Sequence, residues 1–417
     1  MTTRRFEVLT VGSPLHDAAA LRRALEPSLR ALASLGGREA GEAALDDDEA
    51  LVVLVGTGGT EAGILRLHAA RQASSPGEPL LLVTHPAHNS LPAALEALAR
   101  LRQDGARGRI VHLPGPDDAP ALARLAEAVD DLCALRRLRR SRIGLVGAPS
   151  DWLVASVPDA AAVRRTWGPE VVAVDLGGVL EAVGAPPDER AVALAASFDA
   201  GATATREPDP GALRQAASAL PALADLAAGQ RLDAIAVRCF DLVTRRGTSG
   251  CLALAELNDR GTVSACEGDL ASAVAMLWVK ELFGTASWMA NPVHADPGSG
   301  LLRLAHCTIP RSLVTSWELR SHFESGKGAA VAGSLRPGPV TLVRLGGRGL
   351  EQAFVAEGQA VPSSPREDLC RTQVDVTLAP ADVAEILARP LGNHLVLVPG
   401  HRAARLRDYR DWAVASQ

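Results

Sequence analysis

The chain has 417 residues, 47% hydrophobic and 22% charged, with 43 basic and 48 acidic side chains giving a net charge of −5. That balance fits a globular protein of more than one domain and argues against a nucleic-acid surface. No apolar run reaches the roughly 18 residues of a membrane span, and the N-terminus lacks the apolar core of a signal peptide, so a cytoplasmic location is expected.

The first third alternates two patterns. FEVLTVG (6–12), ALVVLVG (50–56), PLLLVTH (79–85) and RIVHLPG (109–115) are short apolar runs that read as buried parallel strands. Helical patterns lie between them, and a closing helix is predicted over 117–140. Its end, RRLRRSR (136–142), reads as a solvated helix terminus rather than a binding patch. Strand–helix alternation implies an α/β doubly wound domain over 1–140. GTGGTEAG follows the second strand. It is neither a dinucleotide fingerprint nor a phosphate loop, and it reads as a turn, a substrate contact or a subunit contact. HPAHNSLPAALE places His88 and Asn89 where α/β folds bind ligands, with Ser90 as a predicted helix N-cap.

A second α/β series starts at SRIGLVG and is assigned to 141–285. It contains the strand patterns EVVAVDLGG and LDAIAVRCFDLV, and it ends in SACEGDLASAVAMLWVKELFG. There GTVSAC is strand-like, Gly268 breaks it, and Asp269 caps a helix with apolar residues at helical spacing. Glu267 stands beside that positive helix end, which suits a metal ligand or a base. The segment 286–417 is rich in Gly, Pro and strand patterns, implying an antiparallel β-domain or small barrel closed by a terminal helix. It carries polar clusters at strand ends: Asn291, His294 and Asp296; His306 and Cys307; His322 and Glu324; Arg371 and Gln373; Asn393, His394 and His401. Several histidines at such positions point to one shared site. The six cysteines form no CxxC pair, which fits a reducing compartment.

Taken in order, ACEGD, WMANP, AHC and PLGNH resemble the L-fucose isomerase and L-arabinose isomerase superfamily, in its shorter fucose isomerase-like branch; GTGGTE, HNSLPAALE, APSDWLVAS and HFESG add to the likeness. The resemblance implies two Rossmann-like domains followed by a β-rich domain, and a trimer or hexamer with sites near subunit contacts. It implies Mn²⁺ or another divalent cation, held by Glu267, Asn291, His306 and His394, with Glu267 also the catalytic base. The expected reaction is aldose–ketose isomerisation of a sugar through an enediolate. Asn291 stands where the family has a second acidic ligand, and an amide cannot accept the proton. Either Glu267 then works alone, or Asp269, Asp296 or Glu324 supplies the second base, or the reaction is epimerisation, dehydration or a retro-aldol step. His322, Glu324, Arg371, Asn393, His88 and Asn89 are the remaining candidates for substrate contact. A carbohydrate-binding protein without catalysis is the alternative outside enzymes.

Overall fold

The computed structural model describes residues 5–45 and 49–414. By internal contacts the chain divides into two compact units. One runs up to Arg137 and includes the chain again from Asp408; the other is Leu138–Arg407.

The first unit holds a five-stranded parallel sheet of β1 (Phe6–Val11), β2 (Gly37–Ala40), β3 (Ala50–Val55), β4 (Leu80–Thr84) and β5 (Gly108–His112), in the order β2-β1-β3-β4-β5. The four apolar runs became β1, β3, β4 and β5, because a strand covered by helices on both faces is apolar throughout. The polar edge strand β2, of sequence GREA, has no such signature and was not anticipated. Ser90 is not the N-cap. Asn89 holds that position in a left-handed conformation without a side-chain bond, while the Ser90 hydroxyl accepts from His85 N–H at 3.2 Å and donates to the Val55 carbonyl, tying β4 to β3.

The second unit opens with a parallel sheet of β6 (Arg142–Val146), β7 (Glu170–Val174), β8 (Ala234–Val237) and β9 (Val263–Ala265), in the order β7-β6-β8-β9. The expected strand LDAIAVRCFDLV is shorter than its pattern: it stops at Val237, and Phe240–Arg246 is a helix. Arg238–Asp241 and Arg245–Asp241 pairs at helical spacing support that turn, and Gly247 ends it in the left-handed region.

The rest of this unit is the β-rich part: β10 (Trp288–Asp296), β11 (Leu301–His306), β12 (Val314–Arg320), β13 (Ala330–Leu335), β14 (Gly338–Gly346), β15 (Gln352–Val361), β16 (Thr372–Leu378) and β17 (Leu395–Pro399). Six of them close an antiparallel barrel in the order β10-β11-β16-β15-β14-β17, and β12 and β13 pair separately. Closure leaves the barrel strands no free edge. The helix Leu270–Phe283 is buried on every side from Leu270 to Val279, as a helix without a polar face must be. Among the described residues no helix is long and apolar enough to cross a membrane.

Candidate metal centre

Barrel register assembles the centre. β10 pairs with β11 on one side, Asn291 opposite Ala305, and with β17 on the other, Ala290 opposite Leu395. Asn291, within β10, therefore lies beside His306 at the end of β11 and His394 just before β17. β10 shifts register between Pro292 and His294, a bulge of the kind that re-aims side chains beside sites.

Glu267 arrives from the α/β side, on the tight turn between β9 and the helix Leu270–Phe283. Glu267 and Gly268 both take positive φ, 62° and 71°. At Gly268 only hydrogen fits, because a Cβ would lie 2.7 Å from the Ala148 carbonyl oxygen. At Glu267 the left-handed backbone costs about 1–3 kcal/mol, and such strain persists where surrounding contacts fix it. Here the Glu267 carbonyl accepts from Ser150 N–H at 2.8 Å, and Gly268 N–H donates to Val237 at 2.8 Å. The turn aims the carboxylate inward. Oε2 accepts from the Trp152 indole N–H at 2.6 Å, and Oε1 faces His394 Nε2 at 3.5 Å and His306 Nε2 at 3.9 Å. The donor atoms of Glu267, His306 and His394 all lie within 4.8 Å of one another, and all three residues are buried.

Each imidazole is held from behind. His306 Nδ1 meets the Thr308 hydroxyl at 2.9 Å, and His394 Nδ1 meets Asp269 Oδ2 at 2.8 Å. Asp269 is fully buried and does cap the helix, its Oδ1 accepting from Ser272 N–H at 2.8 Å. Its Oδ2 also accepts from the Ser272 hydroxyl at 2.9 Å and from the buried Arg344 guanidinium at 3.1 Å. Asp269 thus sits behind His394, outside the set of residues that line the cavity.

The charges follow from this packing. Burial pushes the Glu267 carboxyl up, but the facing imidazoles of His306 and His394 outweigh it and hold Glu267 well below the usual carboxylate range. Burial likewise opposes ionisation of Asp269, and Arg344 and His394 reverse it. Burial pushes His394 down, yet Asp269 and Glu267 win and raise it to about 9. The facing imidazoles thus keep Glu267 charged despite its burial.

The donors fit a divalent cation. His394 Nε2 is buried and makes no hydrogen bond, although Glu267 Oε1 is close. An orphaned imidazole nitrogen whose other nitrogen bonds a carboxylate is the arrangement of a metal-ligating histidine. One carboxylate and two imidazoles suit several first-row divalent ions, manganese among them.

Glu267 and His306 open on a cavity of about 420 Å³, room for a small sugar. Asn291, His322, Glu324 and Asn393 also line it, and Asn393 donates to the Asn291 side-chain oxygen at 3.4 Å. Arg371 is not in the lining; it donates to the Ser321 carbonyl at 2.9 Å and pairs with Glu367 at 3.1 Å. Asp296 holds a turn through Gly298 N–H and Ser299. His88 and Asn89 belong to the first unit, in left-handed conformations after β4. Sequence reasoning missed Trp152 and Arg344. Trp152 lay within a quoted motif without a role. Arg344 had a signal, an arginine inside the apolar strand VTLVRLG, where an unpaired charge is not tolerated.

No protein-family model matches the chain. It is similar to the sulfoquinovose isomerase of Alkalicoccus urumqiensis, 25% identical over 238 residues, which are 55% of this chain and 53% of that protein. The sulfoquinovose isomerase of Clostridium sp. (strain MSTE9) is 29% identical over 159 residues, 34% of this chain and 36% of its own length. That of Priestia megaterium (strain ATCC 12872 / QMB1551) is 30% identical over 122 residues, 28% and 27% respectively. The chain spans about half the length of the first relative and less of the others. All three bear the name of a sugar isomerase.

Proposed function

We propose that the chain is a divalent-metal-dependent aldose–ketose isomerase acting on a sugar or sugar derivative. The observation that carries this reading is the buried Glu267–His306–His394 cluster at the cavity, with one imidazole nitrogen orphaned; the names of the relatives agree with it. Glu267, His306 and His394 would hold the ion, with the Asn291 side-chain oxygen as a fourth donor, and manganese is the ion expected. The bound cation supplies charge stabilisation for the oxygens of an enediolate.

The protein's own part is proton movement and orientation. Isomerisation takes a proton from the carbon beside the carbonyl and returns one to the neighbouring carbon. Glu267 is the proposed base, kept ionised by its neighbours, with Trp152 fixing Oε2. Glu324, the other carboxylate on the cavity wall, is the proposed second proton carrier. His322 and Asn393 face the cavity and would bind hydroxyls. The segments 1–140, 141–285 and 286–417 are the proposed domains; the first two hold one parallel sheet each, and the third the barrel with the β12–β13 pair. A cytoplasmic homo-trimer or homo-hexamer completes the proposal.

The test is elemental analysis of the purified protein with deuterium uptake from D₂O into a panel of sugars that includes sulfoquinovose. Bound divalent metal with exchange beside the carbonyl is expected, and Glu267→Gln should abolish exchange in a folded protein. A Gln variant within about tenfold of the parent, roughly 1.4 kcal/mol in the barrier, removes Glu267 as the base.

A further inference from the structure

The cysteines, scattered in sequence, converge in space. Of the six, Cys239, Cys251, Cys266, Cys307 and Cys370 all reach the wall of the Glu267 cavity. Two form an intimate pair: Cys239 Sγ and Cys266 Sγ are 2.8 Å apart. They follow neighbouring parallel strands, β8 and β9, whose last paired residues are Ala236 and Ala265. Cys307 packs with Cys251 and Cys370 in a separate cluster.

The pair is wired to the site. Glu267 N–H points at Cys239 Sγ, 3.3 Å away, and Cys266 precedes Glu267 in the chain. These contacts support the left-handed turn that aims the carboxylate. Both sulfurs are shielded from bulk solvent yet border a cavity that an oxidant little larger than water can enter.

We propose that Cys239 and Cys266 are a redox-active pair that peroxides convert to a reversible disulfide, displacing Glu267 and weakening the metal centre. One thiol sulfur attacks a peroxide oxygen, giving a sulfenic acid and water. The second thiol displaces the sulfenic oxygen as water, and the S–S bond forms. In total two thiols lose two protons and two electrons, and one hydrogen peroxide becomes two waters. A dithiol reductant reverses the step by exchange. Closing the bond draws Cys239 Sγ away from the Glu267 amide it accepts from, which loosens the turn. The consequence for catalysis rests on the isomerase reading; the bond itself does not.

The experiment treats the reduced full chain with hydrogen peroxide and digests it with trypsin. The expected product links peptide 239–245 to peptide 261–280, two hydrogens lighter than their sum. In parallel, Mn²⁺ titration of the oxidised protein should show affinity at least about tenfold weaker, about 1.4 kcal/mol, restored by dithiothreitol. Cys239→Ser, compared with itself before and after peroxide, should show neither change. Absence of the linked peptide, a link confined to Cys251, Cys307 and Cys370, or a linked protein with unaltered Mn²⁺ affinity would overturn the proposal. An untreated protein that binds no metal would sink the isomerase reading instead, and the linked peptide would still be judged by its mass.

Discussion

His394 Nδ1 is occupied by Asp269, so Nε2 alone faces the Glu267 side. Replacing Asp269 with Asn preserves a capping oxygen but turns a charged acceptor into an amide, and loss of such an outer partner typically costs 10–100-fold in metal affinity. Asp269→Asn is therefore expected to weaken Mn²⁺ binding by about that factor, measured by titration. Protonation gives a second test. In the metal-free protein His394 is raised to about 9 and is a cation at neutral pH, so binding must expel its proton. Affinity should rise about tenfold per pH unit below 9 and level off above it; a flat profile from pH 6 to 8 would remove His394 from the ligand set. The sign for stability is opposite. The His394⁺ pairing with Asp269 and Glu267 stabilises the metal-free fold fully below the unfolded value of about 6.5 and is lost as pH rises through about 9. Trp152 acts on the other oxygen of Glu267. Trp152→Phe deletes a hydrogen bond to a charged group, worth about 1.5–3 kcal/mol, and should lower the exchange rate at least tenfold while metal content holds.

At the scale of elements, the turn between β9 and the helix Leu270–Phe283 is the most constrained segment of the site. Gly268→Ala meets the Ala148 carbonyl and Pro149, whereas Gly261, at φ 87°, has open space around it. Gly261→Ala should cost only the left-handed backbone penalty, about 1–2 kcal/mol. Gly268→Ala should cost more and also lower metal affinity; equal denaturation midpoints for the two would show that the turn yields. Elements of this kind were partly legible in the sequence. The buried parallel strands announced themselves through unbroken apolar runs, and the helix cap at Asp269 through its spacing. The helix Phe240–Arg246 was hidden because its apolar residues continue those of β8. The site was legible as residue types at strand ends, which motif order could collect. Its geometry was not, because which strand ends meet depends on barrel register. Trp152 bonds Glu267 from 115 residues before it and Arg344 bonds Asp269 from 75 residues after it, and only folding brings these pairs together.

Across the whole molecule the chain does not finish where its second unit ends. From Asp408 it joins the first unit, where Trp412 is buried, its indole N–H bonds Asp131 at 3.0 Å, and Arg109 stacks on its ring at 4.6 Å and pairs with Asp408 at 2.8 Å. Trp412→Ala removes a large buried ring and should cost about 3–5 kcal/mol. Amide exchange should localise the loss to the sheet β1–β5 and leave Mn²⁺ binding intact; loss of metal with unchanged exchange there would contradict it.

That return of the chain sets a timetable for synthesis. A ribosome that has released the first 137 residues must still add about 270 before the segment carrying Trp412 exists. At 5–20 residues per second this takes roughly 15–55 s. During that interval the nascent first unit lacks the indole that fills its surface beside Asp131 and Arg109. Until then Asp131 lacks its indole donor and Arg109 lacks the ring it stacks on, so the first unit waits on a segment made long after its own sheet.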